Sequence, residues 1–208
     1  MRKWIMGLCA LFLLLAGCSP AAEPSDTPLP TEEETAVSDI KDTVKRLMAM
    51  RDLDEIFALE DDTDFATALS SALCDWTNYG EHLDLLSPEA QVFYLCDQLD
   101  NEINSDGFVS FIFERYGQWA PETVDALETI GAPQTADILR RAIAMLPDGV
   151  CPRDYTQRND LLFEDEDKYY TAYNALDEEF YAYPDGTLTD LYVTYARDHR
   201  DCFSAPEK

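Results

Sequence analysis

The stretch LDNEINSDGFVSFIFERYGQ, residues 99–118, decides whether this part of the chain is a metal-binding loop or two helices that meet at a glycine. Leu99 and Ile103 continue a helical spacing of apolar residues that begins after Ser87-Pro88-Glu89. Serine is a common N-cap and proline suits the first helical position, so this triplet predicts a helix start. Gly107 predicts a break at positive φ. The β-branched and aromatic residues that follow it would also suit a strand, but the helical spacing of Phe108, Phe111 and Ile112 favours a second, short helix.

The same stretch also has some features of a calcium loop. If Gly107 took the sixth position of an EF-hand loop, Glu102, Asn104 and Asp106 would take the first, third and fifth positions. The twelfth position requires a bidentate carboxylate, but Phe113 stands there. Because that ligand is missing, the sequence favours the helical interpretation and predicts no metal or cofactor.

Helical periodicity continues through the rest of the folded part. Apolar spacing, together with proline in first helical turns, predicts helices over residues 37–60, 64–79, 121–130, 133–146, 164–183 and 187–199. Convincing alternation of the strand type is missing. The predicted fold class is therefore all-α, a compact multi-helix domain that follows a disordered tether.

The N-terminus carries the signs of an exported, lipid-anchored protein. Arg2 and Lys3 precede an apolar run, Trp4–Ala16, that is too short to span a bilayer comfortably. The run ends in Leu-Leu-Ala-Gly-Cys at residues 14–18, which resembles a bacterial lipoprotein signal. This resemblance implies removal of residues 1–17 and attachment of lipid to Cys18, so the protein is expected at the extracytoplasmic face of the cell membrane. Residues 18–37 are rich in proline and acids, which predicts a disordered tether.

The chain is strongly acidic, with a formal net charge of −27. Its 46% hydrophobic and 12% aromatic content nevertheless supports a packed core, so the carboxylates are expected on a folded surface. Such a surface repels nucleic acid, and it favours a basic protein partner, cations or simple solubility.

Four cysteines remain in the expected exported part of the chain: Cys74, Cys96, Cys151 and Cys202. An even number outside the cytosol suggests two disulfides, with three pairings left open. In a reducing or anaerobic setting, all four could remain thiols.

Several motifs of the C-terminal part occur in the order found in a family typified by a bacterial DNA-mimic protein. The matching residues are Glu102, Ile103, Asn104, Gly107, Phe108, Ala120, Pro121, Glu122, Ala126, Leu127, Ile130, Gly131, Ala132, Ala136 and Leu176–Tyr181. The resemblance covers roughly residues 88–200 and departs at Ser105-Asp106. It implies an all-α, dimeric, acidic domain without known catalysis. With the family in view, the chain divides into an N-terminal helical pair, residues 38–86, and an acidic helical domain, residues 87–202.

The founding member of that family has a charge distribution that resembles that of DNA, and it binds the DNA-binding face of a transcription factor. A lipoprotein outside the membrane cannot reach such a partner, so we expect the acidic helical surface to bind another basic protein. Candidate partner-binding carboxylates lie on two predicted helices: Glu122, Asp125, Glu128, Asp177, Glu178 and Glu179. The acidic run Glu164–Asp167 is a further candidate.

Catalytic motifs are not evident in the sequence. His82 and His199 each stand near a predicted helix end, where a structural role is expected, and P-loop or metalloprotease patterns are not found. The sequence therefore predicts a non-catalytic binding domain. The alternative left open is a surface enzyme or a solute-binding lipoprotein.

Overall fold

The computed structural model describes residues 32–206, with side chains described from residue 37. The all-α class is confirmed, because this range forms helices and connecting turns without a strand. The α-helices in chain order are α1 (Glu32–Met48), α2 (Leu53–Phe57), α3 (Asp62–Thr77), α4 (Pro88–Phe113), α5 (Ala120–Thr129), α6 (Pro133–Ala144), α7 (Tyr155–Glu164), α8 (Glu166–Phe180) and α9 (Leu188–Asp198). Short 3-10 turns lie at Leu83–Leu85, Arg115–Trp119, Pro147–Gly149 and Arg200–Cys202.

The signal at residues 1–17, the lipidation residue Cys18 and most of the predicted tether lie outside the described residues. The predicted tether, however, extended to residue 37, whereas α1 already begins at Glu32. Acidic residues in a first turn stabilise a helix through its dipole, which favours a helix start within Glu32-Glu33-Glu34. Among the described residues, none of the helices combines the length and the apolar character needed to cross a bilayer.

Helix α4 is the centre of the fold and contacts α3, α5, α7, α8 and α9. Its aromatic side chains are buried and meet rings from other helices edge to face. Phe93 lies 5.2 Å from Tyr192 of α9, and Phe108 lies 6.0 Å from Phe180 of α8, between ring centroids. One hydrophobic cluster runs from Leu47 to Phe203, so the two predicted segments pack on a shared core.

The break at Gly107 is confirmed. Gly107 has φ 75° and ψ −175°, which is not helical, whereas the residues before and after it within α4 are helical. Ser87 caps the start of α4, as predicted, by accepting a hydrogen bond from the Ala90 amide at 3.2 Å. The predicted helix after Gly107 is therefore the last part of α4.

The prediction of one helix over residues 37–60 was wrong. Helix α1 ends at Met48, and Asp52 starts α2 by accepting hydrogen bonds from the amides of Asp54 and Glu55 at 2.8 and 3.2 Å. Arg51 helps to end α1, since its guanidinium donates to the Met48 carbonyl at 2.7 Å. Local side-chain bonds to the backbone thus compete with continuation of the helix.

Helix α7 was not predicted, since the predicted helices over residues 133–146 and 164–183 leave the segment between them without one. Asp154 caps α7 by accepting from the Gln157 amide at 2.9 Å. Arg158 anchors the helix, since its buried guanidinium donates to the carbonyls of Pro152, Arg153 and Glu114 at 2.8, 2.8 and 2.6 Å. Burial lowers the pKa of Arg158, and its hydrogen bonds tie α7 to the end of α4.

The two suggested disulfides are not formed, and all four cysteines are free thiols. They contact different groups. The Sγ of Cys74 lies 3.9 Å from the Tyr94 hydroxyl, and the Sγ of Cys151 donates to the Gly117 carbonyl at 3.2 Å. Cys96 is fully buried in the core, where a thiol behaves as a small apolar side chain.

Candidate functional site

The six carboxylates predicted to form a binding surface are distributed over α5 and α8 and have different environments. Asp177 was expected on the surface, but it is partly buried and accepts a hydrogen bond from the Phe108 amide at 2.8 Å. Burial raises the pKa of Asp177, which the hydrogen bond from Phe108 partly opposes. Asp177 therefore caps the part of α4 that follows Gly107.

Three of the other predicted carboxylates form ion pairs with arginines. Glu122 pairs with Arg153, Glu128 pairs with Arg140, and Glu179 forms a two-point contact with Arg141 that includes a bond of 2.9 Å. Hydrogen bonding to Arg141 lowers the pKa of Glu179. Because these charges are already balanced locally, they offer a partner less than the sequence suggested.

Asp125 and Glu178 are the two predicted carboxylates that remain exposed and without an ion pair among the described residues. The α5 group pairs with arginines of α6 and of the segment before α7. In the α8 group, Asp177 contacts α4 and Glu179 pairs with Arg141 of α6. The predicted residues therefore have different local partners and do not share one role.

A different acidic surface lies where α7 meets α8. We call Phe163, Glu164, Glu166 and Asp167 the acidic corner. Phe163 is 71% exposed, the highest exposure of a large hydrophobic side chain among the described residues. The three carboxylates are exposed and form no ion pair with a described residue. Asp165 stands within the same run but caps α8 by accepting from the Lys168 amide at 3.2 Å.

Sequence reasoning missed a polar cleft of about 460 Å³ that opens between α3, α4 and α9. Its polar lining includes Thr67, Ser70, Asp97, Asp100, Asn101 and Thr189. Asp97 and Asp100 come from α4, one helical turn apart, and are only 2% and 8% exposed. Two nearly buried carboxylates therefore lie at the floor of a cavity large enough for a small molecule.

Hydrogen bonds hold both carboxylates in place. Asp97 Oδ2 accepts from the Ser70 hydroxyl at 2.5 Å and from the Gln98 amide nitrogen at 2.7 Å. Asp100 accepts from the Asn104 side chain at 2.7 Å and from the Thr189 hydroxyl at 3.2 Å. These donors fix the positions of both carboxyl groups.

Burial raises the pKa of both carboxyl groups. For Asp97, burial raises the pKa to about 7. The neighbouring Asp100 adds to this rise, whereas hydrogen bonds from Ser70 and Gln98 oppose it. Burial likewise raises the pKa of Asp100, against the hydrogen bonds from Thr189, Tyr192 and Asn104. Asp97 can therefore change its charge near neutral pH, and this arrangement suits a cationic or proton-donating ligand.

The other titratable groups of interest have structural surroundings. Burial raises the pKa of the Cys74 thiol at the edge of the cleft to about 11, so the thiol stays protonated at neutral pH. His199 stacks on Tyr195 at 4.2 Å and lies 2.7 Å from its carbonyl oxygen, while His82 is exposed before a 3-10 turn. Glu102 and Asn104 of the calcium-loop alternative bond to Ser110 and Asp100. Among the described residues, His, Cys, Asp and Glu form no group of three suited to a metal.

The cleft left only a weak signal in the sequence. Asp97 and Gln98 interrupt a mostly apolar helical run from Val92 to Leu99, and Asp100 follows that run directly. That interruption indicates buried polar groups, but Ser70 and Thr189, which complete the cleft, are distant in sequence.

The fold and these surfaces define an all-α, strongly acidic domain with a polar cleft beside its central helix. Residues 84–199 match the DMP19-like protein family, and because this match covers more than half of the chain, the protein belongs to that family. The matched range begins after α3, so the cleft joins family elements, α4 and α9, to an N-terminal helix outside the match. Curated proteins and solved structures show no significant similarity to the chain.

Proposed function

We propose that the protein is a membrane-anchored lipoprotein whose acidic, non-catalytic helical domain binds a basic protein partner. The anchor is lipid on Cys18, supported by the Leu-Leu-Ala-Gly-Cys sequence at residues 14–18. The binding role is supported by family membership and by the excess of carboxylates. Nucleic acid is not the expected partner, because its phosphates would be repelled.

The observation that carries the proposal is the negative charge that remains after ion pairing. The chain has 42 acidic and 15 basic side chains. Among the described residues eight ion pairs form, each on a different carboxylate. The uncompensated charge attracts basic surfaces and accelerates their encounter with this protein.

The acidic corner is the surface best suited to such a partner. Interfaces depend on a few aromatic anchors surrounded by polar groups, and complementary charges select the partner. Phe163 supplies an exposed ring, and Glu164, Glu166 and Asp167 surround it in sequence with unpaired carboxylates. The main contact is therefore expected at the acidic corner and not at the six predicted residues of α5 and α8.

Site-specific photocrosslinking in the producing cell tests this proposal. A photoreactive phenylalanine analogue at position 163 should capture a Lys- and Arg-rich protein. The matched control places the same analogue at Val150, which is 60% exposed outside the acidic corner. The triple variant Glu164→Gln, Glu166→Gln, Asp167→Asn should reduce capture at position 163, and purified partner should dissociate as salt rises.

Equal capture at positions 150 and 163 would contradict the role of the acidic corner. So would capture at position 163 that changes neither with salt nor in the triple variant. Anchoring is tested separately by mass spectrometry of the chain from the membrane fraction, which should begin at Cys18 and carry lipid on that residue. An unmodified Cys18 would contradict lipid attachment.

A second candidate function, solute binding, is favoured by the cleft. A small organic cation could place its ammonium group between Asp97 and Asp100, replacing the hydration that burial removes. Binding of a cation would lower the pKa of Asp97 and release a proton near neutral pH.

Thermal shift measurements with primary amines, diamines and guanidinium compounds test the second candidate. Stabilisation that grows with pH and disappears in Asp97→Asn would support it. Glu178→Gln, an exposed carboxylate away from the cleft lining, is the control. Equal shifts in both variants would indicate general charge screening instead of a site in the cleft.

A further inference from the structure

Helix α1 exposes a continuous apolar stripe to solvent. Val37, Ile40, Val44 and Met48 are 45%, 63%, 42% and 51% exposed. Their spacing of three or four residues places them along one side of the helix. Leu47 is the one fully buried side chain among the described residues of α1, and it attaches the helix to the core.

Two lysines border this stripe. Lys41 and Lys45 line the same shallow groove as Ile40, Val44 and Met48. At about 100° per residue, Asp39 and Asp42 fall on the opposite side of the helix. The ion pairs formed among described residues include neither lysine. Helix α1 therefore presents an apolar band with an adjoining basic edge, although the chain as a whole carries a charge of −27.

The position of α1 in the chain brings it close to the proposed anchor. From Cys18 to Glu32 a fully extended chain spans at most roughly 50 Å. A membrane-attached Cys18 therefore keeps α1 near the lipid surface at all times, which gives a high effective concentration for even a weak contact.

We propose that the Val37–Met48 face of α1 lies on an anionic lipid bilayer, with the apolar stripe inserted at the level of the headgroups. Interfacial helices combine an apolar face with lysines that contact anionic lipid. This inference rests on the proposed lipid anchor at Cys18. The helix serves to orient the domain, because the rest of the acidic body then points away from the membrane.

Charge favours a membrane over a second copy of this chain. Two copies that met along α1 would approach as bodies of strong like charge, and an antiparallel contact would also bring Lys41 and Lys45 together with their counterparts. At a membrane, in contrast, repulsion between anionic lipid and distant carboxylates is screened beyond about 8 Å at physiological salt. The two lysines lie beside the stripe, within the range where attraction persists.

Fluorescence quenching in vesicles tests the orientation. The full chain, lipidated in cells, is reconstituted into phosphatidylcholine vesicles that contain about one quarter phosphatidylglycerol and brominated acyl chains. Ile40→Trp adds a fluorophore at the centre of the stripe, and the chain without this substitution gives the background from its own tryptophans. The added tryptophan should be strongly quenched. Val44→Glu in the same background should remove most of that quenching, whereas Val150→Glu, at a comparably exposed valine, should leave it unchanged.

Flotation of the same vesicles separates the two proposals. If the chain floats but the added tryptophan is not quenched, the contact of α1 with lipid is refuted while the anchor stands. If the chain does not float, the anchor fails and the inference about α1 fails with it. A dimer in sedimentation analysis that Val44→Glu converts to a monomer, without quenching by lipid, would assign the stripe to a second copy and overturn the inference.

Discussion

The carboxylate of Asp177 accepts a hydrogen bond from the backbone amide of Phe108 at 2.8 Å, across 69 residues of sequence. Gly107 leaves room for this contact, since a Cβ at that position would lie 2.8 Å from Asp177 Oδ2. The break in α4 is therefore capped by a residue of α8. Asp177, which the sequence suggested as a partner-binding residue, contributes to the fold.

Asp177→Ala should lower the free energy of unfolding by about 1–2 kcal/mol, the usual cost of removing a helix cap. Urea denaturation followed by circular dichroism measures the change. The control is Glu178→Ala, because Glu178 is exposed and forms no ion pair with a described residue. Equal stability of the two variants would show that the bond to Phe108 contributes little.

Gly107→Ala should lower the free energy of unfolding by at least as much as Asp177→Ala does. The backbone at Gly107 has φ +75°, which disfavours a side chain, and the added methyl group would collide with Asp177. Gly131→Ala is the matched control, because Gly131 has φ +84° but nothing within 4 Å of the position that an added methyl group would take. A larger loss of stability at position 107 than at 131 isolates the contribution of the collision from that of the backbone strain.

Asp97→Asn should change the pH dependence of stability. The folded-state pKa of Asp97 is raised to about 7, so the folded protein holds this proton more tightly than the unfolded chain does. The contribution of protonated Asp97 to the free energy of unfolding is therefore lost as pH rises from about 4 to about 7. Asparagine does not titrate, so the variant has no such loss. The free energy of unfolding of the variant, relative to that of the wild type, should therefore rise by roughly 2–4 kcal/mol between about pH 4 and pH 8. A constant difference in unfolding free energy across that range would contradict the shift.

Asp185→Asn should destabilise the start of α6 in a pH-dependent way. Asp185 accepts from the Thr135 amide at 2.7 Å and from the Thr135 hydroxyl at 2.9 Å. Burial raises the pKa of Asp185, but these hydrogen bonds, with those from Gln134, outweigh burial and lower it. Stability from this carboxylate is present above its ordinary pKa and lost as pH falls through the lowered value. Asp185→Asn should therefore lower the free energy of unfolding by about 1 kcal/mol at neutral pH and by less in acid. Denaturation at both pH values measures the difference.

Arg158→Met should destabilise the protein by about 3 kcal/mol or more, because three backbone carbonyls lose a buried, charged donor. Thermal denaturation measures the loss. Arg140→Met is the control, since Arg140 forms a partly exposed ion pair with Glu128 and such pairs contribute little. Similar effects of the two substitutions would contradict the anchoring role of Arg158.

Much of the helical framework was predictable because its signals are local. Ser87 and Pro88 predicted the start of α4, and Gly107 predicted its break, from capping and backbone preferences of single residues. The end of α1 and the presence of α7 were not predicted. Both depend on arginines that bond to backbone carbonyls, Arg51 within a turn and Arg158 across 44 residues to Glu114.

The candidate sites show the same limit. The sequence identified carboxylates, but it could not tell which of them would pair with an arginine, cap a helix or remain free, since that depends on partners from other helices. Glu179 and Glu178 are adjacent, yet only Glu179 meets Arg141. The cleft was missed because it combines Asp97 with Ser70, 27 residues away, and Asp100 with Thr189, 89 residues away.

By itself, the sequence determined the all-α class, the acidic character and the family, since helical periodicity, composition and ordered motifs are properties of the chain. Only the tertiary structure decided the use of each carboxylate: Asp177 as a cap, Glu179 as an ion-pair partner, Asp97 as a buried acid. The physical reason is that burial and neighbouring donors set the charge and availability of a carboxyl group, and in this fold those neighbours come from distant helices.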